Sequence, residues 1–175
     1  VEAVLEAWPD IFSFTFGIPS SDVMNCLKAR GIPAVGTATT VEAARMLEKS
    51  GVSAIVAQGA EAGAHRGTFL GAFESSMIPT LVLVPAIKGA VSVPVIASGG
   101  LMDGRDIAQA FALGASAAQL GTAFLTCPES GTPEAYRRAI LSARSDTTVI
   151  TRAFSGRPAR GLRNAFIDRL EGKEK

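Results

Sequence analysis

The only histidine among 175 residues, His65, lies in QGAEAGAHRGTF, residues 58–69. An imidazole takes up and releases a proton near neutral pH, so one in a loop suits a general base. Gly63, Ala64 and Gly67 are almost too small to touch the ring. They leave it room and let something large come close to the backbone. The alternative is an imidazole that braces the loop or lies at the surface. Glu61 and Arg66 flank the histidine, and a local salt bridge between them is a better expectation than a role in orienting substrate.

Two further stretches have what an anion needs. VPVIASGGLMDGRD sets Gly99 and Gly100 between an apolar run and a helical pattern, where backbone N–H groups point outward and a helix dipole favours negative charge. AAQLGT ends the next run at Gly121 and Thr122. Either one alone could be a tight turn. In consecutive units they point to phosphate, as in barrels that bind it with the loops after their last two strands. Asp103 is expected to cap the following helix, and Arg105 to be a solvated charge. Cys26 and Cys127 lack metal-ligand spacing, and one histidine cannot build a zinc or di-metal site, so no metal is expected. Cys127 reads as a core or loop thiol rather than a nucleophile.

What must position these residues is a repeated plan of apolar run, small-residue loop and amphipathic helix closed by glycine. The runs are Ile11 to Phe16, Pro33 to Thr37, Val52 to Ala57, Val93 to Ala97 and Ala117 to Leu120. Ser20 or Ser21 and Thr40 should cap the first two helices, a third helix should cover roughly Ile78 to Val91, and a fourth about Asp103 to Leu113. Runs apolar on both faces suit parallel strands covered by helices. The unit that carries His65 is almost twice as long as the others, and long loops usually carry function. Beyond Leu125 the pattern predicts a helix from Pro133 to Ala143, a strand from Thr147 to Ala153, an irregular FSGRPARGLRN and a terminal helix. Five βα units cannot close an eight-stranded barrel, which takes ~250 residues. On pattern alone an open doubly wound sheet is an equal choice.

The length suits one domain, residues 1–175, and 47% apolar residues allow a substantial core. A net charge of +1 argues against a nucleic-acid partner. The longest apolar run, Thr80 to Ile87, falls far below the ~18 residues that span a bilayer. A soluble, cytoplasmic protein is expected.

VAQGAEAGAHRGTF, PVIASGGLMDGRDIAQAFALGASAAQLGTAFLTCPES and TRAFSGRPARGLRN, in that order, resemble the nitronate monooxygenase family, formerly called 2-nitropropane dioxygenases. The resemblance covers nearly the whole chain. It implies an FMN-dependent (β/α)8 barrel that uses O2 to oxidise alkyl nitronates to carbonyl compounds and nitrite. It also implies that Gln58 and Gly63 contact FMN, and that Gly99, Gly100, Gln119, Leu120, Gly121 and Thr122 lie in the stretches that hold its phosphate. By the same resemblance His65 hydrogen-bonds the nitro group and is the base when a neutral nitroalkane must lose its α-proton. Ser155, Gly156 and Arg157 match a family segment without assigned chemistry, where packing or loop order is the default.

Two departures stand out. Ala64 occupies a position where the family usually has a second glycine, and a positive φ there would cost an alanine about 1 kcal/mol. Aligned with the family, Ile11 to Phe16 is the fourth strand of eight. The expected fold is therefore α/β, a partial TIM-type barrel of strands four to eight with covering helices, and the opening valine fits a C-terminal portion. An unpaired parallel edge at each end would invite association. Activity is then expected of a completed protein, formed as a longer product, with a complementing N-terminal segment or as a homo-oligomer. Two alternatives are a flavin-dependent enoyl-acyl-carrier-protein reductase using NAD(P)H, and a non-enzymatic truncated remnant. HRGTF and TRAFSGRPARG favour nitronate oxidation.

Overall fold

The computed structural model describes residues 2–173. From the N-terminus run α1 (Glu2–Glu6), β1 (Phe12–Phe14), α2 (Ser21–Ala29), β2 (Ala34–Ala38), α3 (Val41–Lys49), β3 (Ala54–Gln58) and β4 (Ala64–His65). There follow α4 (Thr80–Lys88), β5 (Val95–Ser98), α5 (Gly104–Ala112), β6 (Ala117–Gln119), α6 (Glu134–Ser142), β7 (Thr148–Thr151), β8 (Ala159–Leu162) and α7 (Ala165–Leu170).

All five apolar runs become strands of one parallel sheet, in the order β1-β2-β3-β5-β6. The order never reverses. A doubly wound sheet would turn back at a switch point, whereas here each unit adds to the same side of the last. Helices α3, α4 and α5 lie side by side against it. The sheet is an arc of a (β/α) barrel, which decides the choice that the apolar pattern left open. Among the described residues, β1 and β6 each have one neighbour in this sheet.

The core lies between sheet and helices. Leu47 of α3 and Leu83, Val84 and Ile87 of α4 are fully buried with Ile55, Val95 and Ala97 of the strands. Each large aliphatic side chain so buried contributes about 1.5–3 kcal/mol of transfer free energy. Thr40 accepts from the N–H of Ala43, as a cap should. Asp103 opens α5 with a capping box closed by Asp106. Ser20 stands at the N-cap of α2, but its side chain makes no capping bond. Helix α4 begins later than expected because Pro79 forces Ile78 out of helical geometry, and it stops at Gly89.

Three expectations need correction. The run Ile11 to Phe16 is strand only to Phe14: Phe16 has φ +68° and Gly17 +133°, so the chain turns away there. FSGRPARGLRN is not irregular throughout, since Ala159–Leu162 forms β8, the middle strand of a second sheet in the order β4-β8-β7. ARGL has no strand propensity; its backbone groups pair because antiparallel β4 and β7 flank it. The Thr147 to Ala153 strand correspondingly ends at Thr151. No helix among the described residues is long and apolar enough to cross a membrane.

Candidate active site

The histidine loop is held from three sides. Gln58, at the end of β3, donates from Nε2 to the carbonyl of His65 (3.0 Å) and accepts at Oε1 from the N–H of Gly67 (2.7 Å), so one amide ties both flanks of the histidine. β4 pairs with β8 in the register His65 to Ala159, and the N–H of Arg66 donates to Pro158. From below, the guanidinium of Arg66, 2% exposed, donates to the carbonyls of Gly59, Gln58 and Ser76. Burial, aided by the charge of Arg160, pushes this guanidinium below its ordinary value, and Glu61 partly opposes the shift.

The expected Glu61–Arg66 salt bridge is absent. Glu61 instead accepts at Oε2 from the N–H and hydroxyl of Thr80, 2.9 and 2.8 Å, closing the N-terminus of α4. The converging carbonyls of the long excursion between β3 and α4 leave Arg66 no freedom to turn to a carboxylate. Neither side chain is placed to orient a substrate through a mutual ion pair.

The His65 ring is half-buried, with Nε2 2.6 Å from Ser155 Oγ. Phe16 meets it edge-on, 5.9 Å between centroids at 82°. The guanidinium of Arg157 lies 4.7 Å over the Phe16 ring. The left-handed conformation of Phe16 is what carries its ring there. Behind Phe16 opens a cavity of about 270 Å³ lined by Arg66, Thr68, Phe73, Arg152 and Arg157, a setting whose charge favours a small anion. Neither Phe16 nor Ser155 was recognisable as a neighbour of the histidine. Ser155 is ninety residues away in sequence, and its one signal was its place in the TRAFSGRPARGLRN segment.

Ala64 does adopt positive φ, +64°. The strain foreseen for a β-carbon at this position is therefore present. Ala64→Gly is expected to stabilise the chain by about 1 kcal/mol, a rise in Tm of roughly 2–4 °C. A thermal melt showing no rise would mean that the loop relaxes around the methyl group.

The glycine turns converge on the start of the same loop. Gly99 and Gly100 have φ of +119° and +70°. A β-carbon at Gly99 would lie 2.9 Å from the nitrogen of Ala62, and one at Gly100 3.0 Å from Glu61. One at Gly63 would lie 3.0 Å from Thr122 Oγ1, which brings the loop after β6 against the histidine loop. Gly121 has open space around it. Among the described residues no hydrogen bond engages the backbone N–H of Gly99, Gly100 or Gly121. Free backbone donors on glycine turns of this kind fit an anionic phosphoryl group. At the start of α5 the N–H groups of Arg105 and Asp106 are taken by the Asp103 side chain, and those of Met102 and Asp103 by Asp106, which leaves the turn amides as the unengaged donors. A small cavity of about 100 Å³ beside Gly100 is lined by Glu61 and Asp106, carboxylates that disfavour an anion there. Gln119 ends β6 exposed, while Leu120 packs on the core and offers only its backbone.

The family model for nitronate monooxygenase matches residues 1–175. The chain belongs to the nitronate monooxygenase family. It is 46% identical over 175 residues to a probable nitronate monooxygenase of Staphylococcus aureus (strain Newman), covering 99% of this chain and 49% of the relative. Among solved structures, a nitroalkane oxidase from Streptomyces ansochromogenes superposes with a TM-score of 0.92 at 43% identity, covering 99% of this chain and 50% of the other. FabK from Thermotoga maritima gives 0.87 at 36%, covering 99% and 52%. The chain thus spans about half the length of the curated nitronate monooxygenase relatives it matches. Within that half fall the histidine loop, both glycine turns and the β7–β8 hairpin.

Proposed function

We propose that this chain is the histidine-bearing half of an FMN-dependent nitronate monooxygenase, which converts alkyl nitronates and O2 to carbonyl compounds and nitrite. The observation that carries the reading is the lone half-buried imidazole on a loop whose first residues press against two glycine turns, with Phe16 between the ring and an arginine-lined cavity. Gly99, Gly100, Gly121 and Thr122 would hold the phosphate of FMN, with Gln119 and Leu120 contributing from the same strand end, and Gln58 and Gly63 would face the rest of the cofactor. When bound there, the flavin supplies the electron-transfer chemistry that no side chain can. The charges of Arg66, Arg152 and Arg157 attract the anionic nitronate toward this part of the molecule. His65 donates to the nitro group from its protonated ring nitrogen, and takes the α-proton on the unprotonated one when the substrate arrives as a neutral nitroalkane. Phe16 shields the ring from water on one side. The activity belongs to the whole protein, of which these residues form one part.

A second reading, a flavin-dependent enoyl-acyl-carrier-protein reductase driven by NAD(P)H, draws on the likeness to FabK. One experiment separates the two. The complete protein, purified and given FMN, should consume O2 and release nitrite with propyl nitronate. NADH-dependent reduction of an enone without nitronate turnover would reverse the order, and failure to take up any flavin would remove both.

A further inference from the structure

We infer that Ser155 is a positioning residue for His65: its hydroxyl donates to Nε2, so that the neutral ring carries its own proton on Nδ1 and keeps Nε2 as the proton-accepting nitrogen. The inference rests on the base role proposed for His65, although the arrangement can be observed without cofactor or substrate.

The hairpin makes the contact. Pairing of His65 with Ala159 sets the β7–β8 turn beside the ring. That turn is closed by the N–H of Gly156 donating to Arg152 (2.8 Å), the Arg152 guanidinium donating back to Gly156 (3.1 Å), and a φ of +74° at Gly156. Ser155 Oγ then lies 2.6 Å from Nε2. The distance admits either partner as donor, so the surroundings of the two atoms decide the sense of the bond. The N–H of Arg157 approaches the same oxygen at 3.4 Å, occupying its acceptor side and leaving the hydroxyl proton for the ring. Nδ1 has no hydrogen-bond partner among the described residues. A histidine tautomer is set by the hydrogen bonds its nitrogens make. A free neutral imidazole side chain prefers its proton on Nε2, so a hydroxyl donating there reverses the preference.

The hydroxyl also holds the place of the substrate's proton. It rotates aside when a nitroalkane enters; the substrate C–H bond breaks, an N–H bond forms at Nε2, and the electron pair remains on the substrate as nitronate. With the product gone, the same oxygen can accept from the new Nε2–H, since a hydroxyl serves in either sense.

The test uses the complete protein, untagged and labelled with ¹⁵N-histidine, at a pH where the ring is neutral. The His65 signals in the long-range ¹H–¹⁵N correlations are those that vanish in His65→Asn. The native chain should show a pyrrole-type Nδ1 and a pyridine-type Nε2. Ser155→Ala should exchange the pattern, and Ser155→Thr, which keeps the hydroxyl, should restore it. A pyrrole-type Nε2 in the native chain, an unchanged pattern in the alanine variant, or a threonine variant that behaves like alanine would each overturn the inference. Circular dichroism checks folding, and if Ser155→Ala unfolds, the native and threonine spectra still decide. In the complete enzyme Ser155→Ala should slow neutral nitroalkane about tenfold, part of what a positioned base contributes, and slow the pre-formed nitronate less. Absence of all nitronate turnover would defeat the functional reading without touching the tautomer.

Discussion

Replacing His65 with Asn in the complete protein is expected to lower kcat/KM for a neutral nitroalkane by about 10²–10⁴, the range that general-base catalysis supplies. Turnover of the already deprotonated nitronate should fall far less. Asparagine retains a donor for the nitro group but cannot accept a carbon-bound proton. The amide tie from Gln58 to the carbonyl of residue 65 and the pairing of β4 with β8 use only backbone atoms at this position, so the loop should keep its shape. Steady-state assays with 2-nitropropane and with its pre-formed nitronate give the comparison directly. Equal losses on both substrates would mean that His65 binds without accepting a proton.

The second large effect concerns stability. Arg66→Met preserves much of the aliphatic stem but leaves the carbonyls of Gln58, Gly59 and Ser76 without their shared donor. A buried acceptor stripped of its partner costs ~1–3 kcal/mol. The three are coupled through one side chain, so a total of about 3–5 kcal/mol is expected, a fall in Tm of roughly 6–20 °C. Arg66→Lys should recover only part of it, because a single ammonium cannot engage all three carbonyls as a planar fork does. Thermal unfolding of the two variants measures the difference. A methionine variant melting within a degree or two of the parent would show that water satisfies those carbonyls and that the clamp is dispensable.

The parallel sheet was readable because its strands are apolar on both faces and its helices carry their own caps: Thr40 and Asp103 do in the structure what their side chains suggest in the sequence. Pattern alone could not choose between barrel arc and doubly wound sheet, because both are built from the same units and differ only in where the next strand is added. The β8 strand escaped notice because ARGL is recruited by partners distant in the chain rather than by propensity. The site shows the same division. Its glycines and its histidine announce themselves by type. The roles of Arg66, Phe16 and Ser155 depend on which carbonyls converge, on a left-handed residue after β1 and on a strand register, none of which composition or spacing records.

The pairing of β4 with β8 also sets a timetable. Ninety residues separate His65 from Ser155, and a loop of that size forms late because its closure entropy must be met before the contact returns anything. A chain emerging from the ribosome can therefore complete the parallel sheet, with both glycine turns in place, while the imidazole still lacks the hydroxyl that orients it. Synthesis must pass the last hairpin before the reactive loop acquires its working geometry.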